Sequence, residues 1–177
     1  MKKNLLTLAA TAMIFVFAHH EAKAQSTLKQ VTVNVELKDV TAVGPSGPSG
    51  ASVVDFVYAT ASDYNNDKSV AIPNQFNVTS TKAYDILVRG TGDFIGTTTS
   101  SETLPLSILK LSAKKSGAGS YGTTLIPTTA DGVLVSNADA TLDQSFDVQY
   151  TIEKDGSLLT APKQKYTTEL IYSVTAH

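Results

Sequence analysis

The 177-residue chain contains no cysteine, which excludes disulfides, thiolate metal sites and a lipid-modified N-terminal cysteine. It has no tryptophan, so a stacking platform for a sugar ring would have to come from tyrosine or phenylalanine. Arg89 is the single arginine, and past the first few residues the only adjacent basic pair is Lys114-Lys115, which reads as part of a solvated loop. Binding to a phosphate backbone needs clustered positive charge, so nucleic acid is not expected as a partner. Histidine is equally scarce: His19, His20 and His177. A Ser-His-Asp or Cys-His triad, or a histidine zinc site, would have to recruit His177, which is expected to have nothing beyond it to fix its orientation.

The first two dozen residues have the three parts of a secretory signal. Lys2 and Lys3 precede a 14-residue apolar run over 5–18, and Ala22-Lys23-Ala24 places small residues at both positions a signal peptidase reads. Cleavage is expected between Ala24 and Gln25. The run is too short to span a membrane, which takes about 20 residues, so no membrane span is expected after cleavage. Of the 14 basic and 16 acidic side chains, Lys2, Lys3, Lys23 and Glu21 leave with the signal, so 11 and 15 remain. The expectation is an extracytoplasmic protein in the periplasm, at the cell surface or secreted, with residues 25–177 forming a single domain.

From Lys29 onward the pattern has period two. Val31, Val33, Val35 and Leu37 alternate with Thr32, Asn34, Glu36 and Lys38, as in a strand buried on one face. Similar runs occur at Val54, Phe56 and Tyr58, at Phe76 and Val78, at Tyr84, Ile86 and Val88, and at Leu104, Leu106 and Ile108. The last are at Val133 and Val135, at Phe146, Val148, Tyr150 and Ile152, and at Tyr166, Thr168, Leu170, Tyr172 and Val174, with Glu169 and Ser173 facing out. Turn-forming residues separate these runs, and no segment offers three turns of helical periodicity. Eight to ten short strands, each apolar on one face, predict an all-β, two-layer antiparallel β-sandwich, with a barrel as the alternative. Residues 44–50, a doubled Pro-Ser-Gly, and residues 114–122 read as loops.

Four patterns invite a chemical reading. Gly117-Ala118-Gly119-Ser120-Tyr121-Gly122 matches the glycine spacing of a dinucleotide site, but Thr123-Thr124-Leu125-Ile126-Pro127 follows where that site needs a helix N-terminus. It reads as a hairpin connection. Asp63, Asn65 and Asp67 alternate like the first oxygen ligands of a calcium loop, yet Lys68 stands in place of the glycine and Asn74 in place of the distal glutamate. They are the metal candidates, and a solvated turn is the plainer reading. Acidic residues such as Asp85, Asp147 and Glu169 fall at outward positions, so no carboxylate pair stands out for glycoside hydrolysis. Asn77-Val78-Thr79 fits a glycosylation pattern and reads as strand. No cofactor is implied.

The ending that begins at Lys165-Tyr166-Thr167-Thr168-Glu169 and alternates to His177 resembles the closing strand of spore-coat-U-type pilin domains. Phe146-Asp147-Val148-Gln149-Tyr150-Thr151-Ile152 resembles their penultimate strand and, more loosely, that of WxL-type cell-wall domains. The likeness covers about a fifth of the chain and implies an Ig-like or pilin-like sandwich at the bacterial surface. The cysteines usual in the first group and the tryptophan of the second are absent. The expected function is an exported, non-catalytic structural or adhesive surface protein, a subunit of a surface assembly, whose mark would be an exposed edge strand. The alternative is a small secreted glycan- or calcium-binding module, marked by exposed Tyr, Asn and Asp at one end of the sandwich. Expected partners are a protein or glycan at the cell surface, or a second copy through an edge strand.

Overall fold

The computed structural model describes residues 25–37 and 52–177, so the expected signal segment, the 44–50 connection and the Leu37 side chain lie outside the described residues. In chain order the strands are β1 (Gln25–Leu37), β2 (Val53–Tyr58), β3 (Lys68–Ser80), β4 (Tyr84–Gly90), β5 (Phe94–Gly96), β6 (Thr103–Leu104), β7 (Leu109–Lys115), β8 (Gly132–Ala138), β9 (Thr141–Ile152) and β10 (Lys165–Ala176). Two five-residue helices, α1 (Ala61–Asn65) and α2 (Gly156–Thr160), sit in connections.

The strands form two sheets packed face to face, the all-β sandwich expected from alternation. The larger sheet runs β2-β1-β10-β4-β8, with β5 continuing beside β10 and β6 beside β5; the smaller runs β3-β9-β7. All pairs are antiparallel except β1 with β2, which run parallel from Thr32↔Val53 to Leu37↔Tyr58. One cluster of buried residues draws on both sheets. Val31, Val33, Val35, Ile86, Val88, Leu170 and Tyr172 enter it from the larger sheet, and Phe146, Val148, Tyr150, Ile152 and Leu111 from the smaller. Tyr172 crosses the layer, meeting the Phe76 ring at 5.3 Å and the Tyr150 hydroxyl at 2.9 Å.

Two prolines redirect this plan. In β3, Pro73 has no N–H to give the ladder, and the register with β9 jumps between Ile72 and Phe76. Asn74 adopts φ 49° there, and Gln75 and Phe76 are both buried despite adjacency. The second, Pro105, corrects the expected strand through Leu104, Leu106 and Ile108. All three are buried, but only Leu104 is in a strand. After Pro105 the chain makes a 3₁₀ turn over Leu106–Ile108 and passes from the larger sheet into β7 of the smaller, so period-two burial here marks a crossing between layers. Leu106 lies over Gly90, where an added β-carbon would come within 2.5 Å of its side chain.

Further expectations change. In β8 the phase is inverted: Leu134 is buried and Val133 is 49 % exposed, although alternation puts Val133 and Val135 toward the core. Lys114 and Lys115 end strand β7 and are not in a loop. Ser173 has the outward phase of Glu169 but is only 4 % exposed, in a central strand flanked by β1 and β4.

Candidate functional site

The three calcium candidates are separated by the structure. Thr60 is the N-cap of α1: its hydroxyl oxygen accepts Asp63 N–H at 3.3 Å and its own N–H donates to the Asp63 carboxylate at 2.8 Å, closing a capping box, while the hydroxyl also donates to that carboxylate at 2.9 Å. Ala59 N–H adds a third bond at 3.0 Å, and the Lys68 ammonium binds the other oxygen. Burial alone would raise the Asp63 pKa, but the Lys68 amine and the Thr60 and Ala59 donors outweigh it and hold the carboxyl well below the usual range. Asn65 instead donates its amide to Ala61 C=O, and Asp67 accepts Lys154 N–H at 2.9 Å. Lys68, which breaks the calcium pattern in sequence, therefore takes the role of the cation. Among the described residues no group of three His, Asp or Glu side chains converges on a metal-sized site.

Asp147 and Asp85 are not the solvated carboxylates their outward phase suggested. Asp147, in the middle of β9, accepts the Ser116 hydroxyl at 2.6 Å and the Asn74 N–H at 2.9 Å, with the Lys114 amine 3.8 Å away. It ties the proline bulge of β3 to the turn that ends β7, across all three strands of the smaller sheet. The Ser116 hydroxyl first, then Asn74 N–H and Lys114, depress its pKa against a smaller opposing effect of burial. Asp85, in β4, accepts Asn137 N–H at 2.6 Å and faces His177 Nε2 at 3.1 Å. His177 is fixed further by its backbone N–H on Ala83 C=O at 2.9 Å, so residues of β4 and the turn before it orient it, where the sequence predicts nothing beyond it in the chain to do so. Asp85 and Glu169 belong to the larger sheet and Asp147 to the smaller, all at outward positions, so Asp147 is not paired with either across one cleft.

The glycine-rich segment following β7 is the connection expected. Lys115 C=O accepts Ala118 N–H, Gly117 takes φ 86°, and the chain returns so that Gly122 N–H bonds Ala113 C=O. Leu111 and Leu125 then exchange both backbone bonds, at 2.8 and 2.7 Å, and no helix follows. Lys114 Nζ stands 4.9 Å over the Tyr121 ring.

Exposure bears on the glycan-binding alternative. Tyr58, Tyr64, Tyr84, Tyr150, Tyr166 and Tyr172 are buried, as are Phe56, Phe76, Phe94 and Phe146; among the described aromatics only Tyr121 is partly exposed. Asn65, Asn66 and Asp67 are exposed at one end of the sandwich, but the neighbouring Tyr64 ring packs on Tyr58 at 5.2 Å and presents no face to a ligand. The contacts of Asp147 and His177 join residues 31 or more positions apart, and no local spacing signals them. Comparison with known proteins finds no matching family model and no matching curated protein. Among the described residues no helix is long and apolar enough to cross a membrane.

Proposed function

We propose that this chain is an exported, non-catalytic structural or adhesive protein of the bacterial surface, acting as a subunit of a surface assembly. The observation that carries this reading is where the reactive side chains are spent. Asp63 caps a helix and pairs with Lys68, Asp147 staples three strands, Asp155 caps α2 through Ser157 N–H at 2.7 Å, and Asp85 holds Asn137 and His177. Each of these carboxylates does the work of holding a sandwich without disulfides. The likeness of the last two strands to spore-coat-U-type pilin domains supports the same reading.

The test is labelling of intact producing cells with a membrane-impermeant amine reagent, followed by fractionation. Modification of exposed lysines such as Lys115 and Lys165 on whole cells supports a surface protein. Labelling only after lysis, with the chain in the cytosolic fraction, would overturn it.

A further inference from the structure

We propose that the outer edge of β2 is the contact through which two copies of this chain associate, β2 against β2, antiparallel about a two-fold axis at Val54. The inference rests on the surface-assembly reading for its setting and on geometry for the contact. Strand edges carry unpaired N–H and C=O groups, and proteins guard them with proline, bulges, lysine or a covering segment.

Among the described residues every other edge has such a guard. The edge of β3 is broken by Pro73 and its bulge. That of β7 is covered by Gly122 and Leu125 backbone. The β8 ladder to β4 shifts register twice and holds Asn137 at φ 48°, and β6 has two residues. By contrast β2 reads Val-Val-Asp-Phe-Val-Tyr, pairs with β1 without a register shift, contains neither proline, glycine nor lysine, and among the described residues is guarded at one end alone, where Lys68 takes Val57 C=O. Its β-branched and aromatic residues favour extended pairing. Val53 is 43 % exposed and the Asp55 side chain 54 %.

The register follows from two details. Thr32 N–H bonds Ser52 C=O at 2.9 Å and Val33 lies opposite Val54, so the parallel ladder turns the backbone groups of Ser52, Val54 and Phe56 toward β1. Those of Val53, Asp55 and Val57 point outward. The Lys68 ammonium already takes Val57 C=O, which disfavours registers that use it. A two-fold axis at Asp55 would also set two carboxylates directly opposite each other, a destabilising cross-strand pair. With the axis at Val54, Val53 faces Asp55 of the second copy, four backbone hydrogen bonds can form, and each Asp55 keeps Lys165, 3.7 Å away, as its counter-charge.

Two six-residue strands make a small interface, so association is expected to be weak and concentration-dependent. Sedimentation equilibrium on the purified protein tests it, from about 1 μM to about 1 mM. The mean mass should climb toward the dimer, and Val53→Pro, which removes one outward N–H and leaves the ladder to β1 intact, should abolish the climb. The cysteine-free background allows a second readout. The double variant Val53→Cys, Asp55→Cys should give disulfide-linked dimers on oxidation, whereas Asp55→Cys alone should not. A chain that stays monomeric to about 1 mM and does not cross-link overturns the inference, as does efficient cross-linking through Asp55→Cys alone. A surface-labelled chain that is monomeric by both measures overturns this contact and leaves the proposed function standing.

Discussion

Replacing Asp147 with alanine removes the acceptor that joins the β3 bulge to the end of β7. Two hydrogen bonds to a charged oxygen are lost, from Ser116 at 2.6 Å and from Asn74 at 2.9 Å. Bonds to charged groups contribute about 1.5–3 kcal/mol each when solvent is excluded. The Asp147 side chain is 13 % exposed and Asn74 is exposed, so water replaces part of what is removed, and a total of about 2 kcal/mol is expected. That is a large share of the roughly 5–15 kcal/mol that holds a domain of this size. In urea, with a slope of about 1–3 kcal/mol per molar, the midpoint should fall by about 1 M. Asp147→Asn retains one acceptor oxygen and should lose less.

The pH dependence gives a sharper check on the same residue. The folded-state pKa is depressed, so the carboxylate contributes fully above the unfolded value of about 3.9, and that contribution is lost as pH falls through the folded value. The difference between the parent protein and Asp147→Ala should therefore be constant from about pH 7 to pH 5 and shrink below about pH 4. A difference unchanged down to about pH 2, or an alanine variant within about 0.5 kcal/mol of the parent at pH 7, would refute the staple.

Three further outcomes are expected. Leu170 is fully buried in β10 and Glu169 is not, so Leu170→Ala should cost about 2–5 kcal/mol and Glu169→Ala under about 1 in denaturant titrations; the reverse order would mean the register is misread. Tyr150→Phe leaves the buried Tyr172 hydroxyl without its 2.9 Å partner and should cost about 1–3 kcal/mol, while adding Tyr172→Phe should recover most of it, a non-additivity read from a double-mutant cycle. Millimolar calcium should leave the melting temperature unchanged, since Lys68 already neutralises Asp63; a rise of several degrees that Asp63→Ala removes would reveal a real site.

The alternation at β1, β4, β9 and β10 was legible because a strand covered on one face must repeat every two residues, and Val31, Val33, Val35, Tyr150 and Tyr172 are buried as that rule requires. The same rule misled at Leu104, Leu106 and Ile108, since burial at alternate positions does not demand a strand when Pro105 turns the chain between layers. It also could not tell a wet carboxylate from a stapling one. Asp147 occupies the outward phase either way, and only the β3 bulge and the turn after β7, brought to it by the fold, decide its role. At the candidate calcium loop, Lys68 was legible as a misfit, but its pairing with Asp63 was not, because the capping geometry of Thr60 arises with α1.

The proposed export of residues 25–177 and their folding outside the cytoplasm are tested most directly by the intact mass of the protein recovered from its native location. A chain beginning at Gln25, with Met1 through Ala24 removed, is expected in the periplasmic, surface or secreted fraction. A cytosolic chain that retains Met1 would contradict the proposed export.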